Sequence, residues 1–254
     1  METAIESTRH VPPLAQQPRQ VHTITDRFSM ANTYLINSEH MIVVDPGSAL
    51  NVRLLLQYLQ HFLHRSAGDI DLIVLTHLHP DHTAGVEPLR QVCNAPVAAS
   101  IAAQQFVQSW KDGSGGYQGG RGHLIGQVLN QRALPGAFHH LDLFAPDYER
   151  QVQKVDMWLE DVAGLPYHPD WRVIASPGHT AESVCLYNPF SYELLCGDTV
   201  VTLEGGSTLV RGGSNRRQLE QTLQTLRSLN VYYLYPGHGR PIISKHAITN
   251  IQAE

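Results

Sequence analysis

Cysteine is scarce in this chain. Its 254 residues hold only Cys93, Cys185 and Cys196, scattered and odd in number, with no Cys-x-x-Cys. That spacing excludes a disulfide framework and makes a reducing compartment the default. No block of Lys and Arg occurs, and the formal net charge is -5. A nucleic-acid groove needs clustered cations, so nucleic acid is excluded as a partner, whereas a small anionic molecule is not. No apolar run is long enough to span a membrane. The start, Met1-Glu2-Thr3-Ala4-Ile5-Glu6, has neither the basic nor the apolar segment of a signal peptide. The expectation is a soluble cytoplasmic enzyme acting on a small molecule. No Gly-x-Ser-x-Gly elbow offers a serine nucleophile. The Gly-rich run over residues 112–122 lacks the strand–turn–helix setting of a dinucleotide fingerprint.

What is present is histidine in a pattern. Thr76-His77-Leu78-His79-Pro80-Asp81-His82 follows the apolar run Leu72-Ile73-Val74-Leu75, which reads as a buried strand. His77 and His79 are two apart, so in an extended segment they point the same way. Pro80 then turns the chain. Asp81 and His82 follow and can face a neighbouring point. One loop can thus serve two metal ions.

Three further strand ends repeat the theme. Ser176-Pro177-Gly178-His179 follows Val173-Ile174-Ala175. Cys196-Gly197-Asp198-Thr199 follows Tyr192-Glu193-Leu194-Leu195. Tyr235-Pro236-Gly237-His238 follows Val231-Tyr232-Tyr233-Leu234. Each is an apolar strand ending in a Gly-bearing turn with one ligand-type side chain. A polar loop that happens to be rich in histidine explains one such element, not four in this order. Cys196 stands two residues before Asp198, but at an alternating strand position it reads as a small buried apolar residue.

These motifs resemble those of the metallo-β-lactamase-fold hydrolases: His-x-His-x-Asp-His, then His, then a bridging Asp, then His. Within that superfamily the pattern looks most like the glyoxalase II branch. Val43-Val44-Asp45-Pro46-Gly47 is similar to the family's first motif. The resemblance runs from about residue 32 to 240. It implies an α/β fold, a four-layer αβ/βα sandwich. It implies His77, His79 and His179 on one metal ion, Asp81, His82 and His238 on a second, and Asp198 bridging both. Asp81 is the catalytic candidate, and Asp45 supports the metal loop from behind. Imidazole and carboxylate suit zinc, with iron or manganese as alternatives. A water between two cations loses its proton readily, and the hydroxide can attack a carbonyl without a protein nucleophile.

The implied substrate is a small ester-type molecule, a thioester or lactone. Typical glyoxalase II enzymes carry a helical C-terminal domain for glutathione, and only sixteen residues follow His238 here. A second class shares the fold. Persulfide dioxygenases use one iron held by residues matching His77, His179 and Asp198, and Leu209-Val210-Arg211-Gly212-Gly213 weakly echoes their Arg-rich segment. A β-lactamase fits less well, because those enzymes usually lack the bridging Asp and are exported.

The length fits one large domain, residues 21–254, after an extended arm over 1–20 with Pro12, Pro13 and Pro18. Strands are expected at 21–25, 32–37, 41–45, 72–76 and 96–100, and helices at 50–63, 84–93 and 101–110. The helix at 50–63 should bury Leu55, Leu59 and Phe62 or Leu63. A family-specific insertion is expected over about 104–154, shaping access to the metals, with the regular fold resuming near Asp170. It or its flanks contain His123, His139, His140 and His168, for which a surface or hydrogen-bonded histidine is the ordinary state. Tyr117, Tyr148 and Tyr167 are candidates for substrate contact on position alone, and the substrate-binding residues are left unassigned. Ser214 is the expected cap of a helix over 215–229.

Overall fold

A computed structural model describes residues 20–25, 31–111, 154–202, 208–209, 215–249 and 251. The expected arm before residue 20, the Gly-rich run, Tyr117, Tyr148, His123, His139, His140, Arg211 and Ser214 lie outside the described residues.

The chain opens with three antiparallel strands, β1 (Val21–Ile24), β2 (Thr33–Asn37) and β3 (Met41–Val44). Helix α1 (Ala49–Tyr58) follows, then β4 (Ile70–Val74), the single turn α2 (Pro80–Thr83), α3 (Val86–Cys93), β5 (Val97–Ser100) and α4 (Gln104–Lys111). Strand β6 (Met157–Leu159) completes a six-stranded sheet in the order β1-β2-β3-β4-β5-β6, parallel from β3 onward. The second sheet contains β7 (Gly164–Leu165), β8 (His168–Ala175), β9 (Val184–Asn188) and β10 (Glu193–Gly197). A small ribbon pairs β11 (Val201–Thr202) with β12 (Thr208–Leu209). Helix α5 (Arg216–Arg227) leads to β13 (Tyr233–Pro236) and β14 (Ile242–Ile243), which finish the second sheet as β14-β13-β10-β9-β8-β7.

Strand alternation builds the layers. Ile42, Val44, Leu72 and Val74 face the second sheet and meet Trp171, Val173, Leu186 and Leu195. Met41, Val43 and Ile73 point the other way, onto Val52 and Leu55 of α1 and Leu89 of α3. Cys185, Leu194 and Cys196 on the far side pack under Leu219, Leu223 and Leu226 of α5. The result is the expected helix–sheet–sheet–helix sandwich. A strand covered on both faces must be apolar throughout, which is why Met41-Ile42-Val43-Val44 shows no alternation in type.

Local signals set the boundaries. Ser48 caps α1, its Oγ accepting from Leu50 N and Asn51 N, while Asn51 Oδ1 accepts from Ser48 N. This is a reciprocal cap. The last turn of the expected helix is a π-turn, Leu59–Leu63, ended by left-handed His64. It turns Leu63 toward the core and leaves Phe62 exposed. Asn215, not Ser214, caps α5, its Oδ1 accepting from Gln218 N. The fold resumes at Met157 rather than near Asp170, because β6 and β7 have three and two residues and are too short to show a period. The expected insertion opens with α4, whose Val107 is buried in the outer core.

Strand direction positions the site. Strands β3 and β4 run parallel, so the segments after Val44 and Val74 leave by the same edge. In the second sheet β8 and β10 both lie antiparallel to β9, and β10 is parallel to β13. Their ends at Ala175, Gly197 and Pro236 therefore share one edge too.

Candidate metal centre

The two edges meet, and seven side chains converge there. His79 is extended, with φ -69° and ψ 145°, and precedes Pro80, the first residue of α2. Proline suits that position because its missing N–H would be unused. His77 and His79 lie on one side, as their spacing predicts, with His77 Nε2 3.0 Å from His79 Nδ1. Leu78 points oppositely, into the outer core. The turn of α2 then swings Asp81 and His82 to an adjacent point.

Two groups form. In the first, His179 Nε2 lies 3.0 Å from His79 Nδ1, completing a triangle with His77. In the second, His238 Nε2 lies 3.3 Å from Asp81 Oδ2 and 3.4 Å from His82 Nε2. Asp198 stands between them. Its Oδ2 is 3.3 Å from His179 Nε2, 3.8 Å from His77 Nε2 and 3.2 Å from His238 Nε2. Its Oδ1 is 3.2 Å from His82 Nε2.

Hydrogen bonds behind the ligand-type atoms hold this arrangement. Asp45, left-handed at φ 51°, accepts from Thr76 N at 2.8 Å and Thr76 Oγ1 at 2.6 Å. Its Oδ2 also lies 2.9 Å from His82 Nδ1, so Nε2 of that ring is the atom presented to the site. Glycines permit the close approach of the loops. A Cβ on Gly237 would overlap Asp198 Oδ1, and one on Gly197, at φ 48°, would stand 2.5 Å from Thr76 Oγ1.

Burial and charge divide the site electrostatically. Burial pushes the His79 imidazole down to about 3, and it also lowers His77 and His179. These three rings are neutral, the form that binds metal. Burial also opposes charge on His82 and His238, but the carboxylates of Asp198 and Asp81 outweigh it. They raise His82 well above its ordinary value and His238 to about 9. Burial alone would raise Asp81 and Asp198, yet the facing imidazoles hold both below the usual carboxylate range.

The residues present fit a pair of cations. Ligands at about 2.0–2.1 Å in a tetrahedron sit roughly 3.3 Å apart. The closest nitrogen and oxygen spacings here, 3.0–3.4 Å, match that edge. Asp198 Oδ1 is buried, faces the middle of the site and makes no well-directed hydrogen bond, with His82 Nε2 at 3.2 Å beside it. A buried carboxylate oxygen in that position calls for a cation.

Other expectations resolve differently. His168 is an ordinary buried histidine, its Nε2 2.9 Å from His40 O. Tyr167 packs beside His40 at the start of β8, the end of that strand opposite the edge where the seven side chains converge. Cys196 Sγ lies beside Val200 O and Tyr235 O in the core under α5. Two supporting residues escape the sequence pattern. Asn32 grips the His238 turn, and buried Glu182 accepts weakly from Leu78 N, at 3.4 Å, between His77 and His79. A polar residue abutting an apolar strand, as Asn32 abuts Thr33–Asn37, was the available signal.

The metallo-beta-lactamase superfamily model matches residues 26–238, and the chain belongs to that superfamily. A probable metallo-hydrolase of Methanocaldococcus jannaschii is 27% identical over 213 residues, 82% of this chain and 87% of that protein. A hydroxyacylglutathione hydrolase of Idiomarina loihiensis is 26% identical over 80% of this chain, which spans 55% of that relative's length. Among solved structures, a metallo-beta-lactamase family protein of Thermus thermophilus superposes with a TM-score of 0.63 at 19% identity, over 90% of this chain and 75% of that one. Identity at that level speaks to the fold alone.

Proposed function

We propose that this chain is a metal-dependent hydrolase acting on a small ester-type substrate, a thioester or lactone, with two divalent cations. The observation that carries this reading is the single Asp198 carboxylate placed between two groups of imidazoles. His77, His79 and His179 would hold one cation, Asp81, His82 and His238 the other, and Asp198 both. When bound, such a pair supplies Lewis acidity and brings the pKa of a water to about 7. The donor set suits zinc, and also iron or manganese.

The chain's own groups set direction and proton traffic. Asp81 and His238 are 30% and 18% exposed, whereas His77 and His82 are sealed. Substrate therefore approaches over the Asp81–His238 side. The Asp81 carboxylate, held below the usual carboxylate range by the facing imidazoles against the opposing effect of burial, is ionised at neutral pH and on the exposed side can accept a hydrogen bond that orients a water. Asp45 and Thr76 lock the His82 ring against rotation. Two relatives, a probable metallo-hydrolase and a hydroxyacylglutathione hydrolase, support hydrolysis and thioester chemistry respectively. Because the chain spans about half of the latter, the class of bond is carried over and the glutathione carrier is not.

A second reading is a persulfide dioxygenase with one iron on His77, His179 and Asp198, which do stand together. The full second group, Asp81, His82 and His238, favours the first reading. The test is metal content of protein purified without chelator, then assay against thioesters, lactones, β-lactams, phosphodiesters and a persulfide. Two ions per chain with thioester or lactone turnover is the expected result. One iron per chain with persulfide oxidation would overturn it.

A further inference from the structure

Asn32 belongs to the first sheet's side of the molecule, just before β2, yet its polar atoms work on the turn that carries His238. Its backbone N–H donates to Gly237 O at 2.7 Å. Its carboxamide Nδ2 donates to Pro236 O at 3.0 Å and to Gly239 O at 2.8 Å, and stands 3.1 Å from Tyr34 Oη. Its Oδ1 accepts from Thr25 Oγ1 at 2.6 Å. The residue is 1% exposed. Tyr34, two residues on along the same strand face, donates its hydroxyl to Pro236 O at 2.6 Å.

The carbonyls on either side of His238 are thus held by one residue. The remaining turn atoms are held as well. Gly237 N donates to Gly197 O at 2.7 Å, and His238 O accepts from Thr202 N at 3.0 Å. Buried carbonyls need donors, but water can supply them. A side chain from the opposite sheet does more than satisfy them, because it fixes where the turn sits relative to that sheet.

That relation matters here. His77, His79, Asp81 and His82 follow β4 of the first sheet, whereas His179, Asp198 and His238 follow strands of the second. Each group mixes the two sources. The second group depends on His238 alone to bring in an imidazole from the second sheet, at 3.3 Å from Asp81 and 3.4 Å from His82. Metal constellations tolerate misplacement of only about 0.5 Å. We propose that Asn32 is a positioning residue that sets His238 against Asp81 and His82 and so governs occupancy of the second metal position. This rests on the two-ion reading above.

Cobalt(II) titration of chelator-stripped protein tests it, because visible absorption reports each position apart from activity. Wild type should take up two equivalents. Asn32→Ala removes both side-chain donors, and Asn32→Asp keeps the shape and the acceptor for Thr25 but cannot donate. Both should bind the first equivalent normally and the second at least about tenfold more weakly, in the range typical of outer hydrogen-bond partners. Tyr34→Phe, which leaves Asn32 to hold Pro236 O, should weaken the second equivalent by less. If the Asn32 variants fold but bind both equivalents with wild-type affinity and spectrum, or lose both equally, the proposal is overturned. Should they not fold, Tyr34→Phe decides, and an unchanged second equivalent overturns it. Wild type that takes up fewer than two equivalents overturns the two-ion reading itself, and the proposal with it.

Discussion

The Asp198 carboxylate reaches both halves of the site, Oδ1 lying 3.2 Å from His82 Nε2 and Oδ2 lying 3.3 Å from His179 Nε2 and 3.2 Å from His238 Nε2. A carboxamide keeps this shape but loses the charge and puts an NH2 where one cation should bind. Asp198→Asn should therefore weaken metal binding and lower turnover by more than about 100-fold, beyond the 10–100-fold typical of outer partners. His61→Ala, exposed at the end of the first helix region, should change neither. Metal content by elemental analysis and turnover on one accepted substrate check both. Wild-type values for Asp198→Asn would remove the bridging role. The seven ligand-type residues were legible because each carries its chemistry in its type and closes an apolar strand. Asn32 and Glu182 were not, since their work is done through the backbone of distant loops, and sequence spacing says nothing about which loops meet.

Elements were legible in proportion to their length. The strand Met41–Val44 and the α5 leucines announce themselves by run and period. The single turn Pro80–Thr83 does not, having too few residues for any period, and Gly85 separates it from α3. The turns between elements carry the tightest constraints. Gly237 lies so near Asp198 that any side chain would displace the carboxylate or the His238 turn. Gly237→Ala should keep the fold, because the strands on either side of the turn are untouched, and should lower metal affinity. Far-UV circular dichroism and metal titration on the same sample separate the two effects. Unaltered affinity would mean that the turn has slack the geometry does not show.

At the scale of the whole molecule, two further outcomes follow. None of the proposed ligands falls in residues 112–122. Shortening that run should alter KM on accepted substrates more than metal content, as a segment shaping access would. If kinetics on every accepted substrate stay the same, the run is a plain connection.

The last outcome concerns pH and stability without metal. His82 lies well above its ordinary pKa and His238 is raised to about 9. An unfolded histidine titrates near 6.5. Raised groups contribute stability that is present below about pH 6.5 and lost as pH climbs through their folded values. His77, His79 and His179 are lowered, His79 to about 3, and Asp81 and Asp198 are lowered as well. For lowered histidines and carboxylates alike, the contribution is lost as pH falls toward those folded values. Both sets of losses begin on opposite sides of the same region, so the metal-free protein should be most stable near pH 6.5 and weaken toward both pH 4 and pH 9. Bound cations need deprotonated ligands, so metal binding strengthens as the raised imidazoles lose their protons. Metal should therefore raise Tm more at pH 8.5 than at pH 6, flattening the alkaline side. Melting curves at a series of pH values, with and without zinc, measure this directly. A metal-free Tm that rises from pH 7 to 9 would show that His82 and His238 do not hold their protons against Asp81 and Asp198. The charge division of the site would then be wrong.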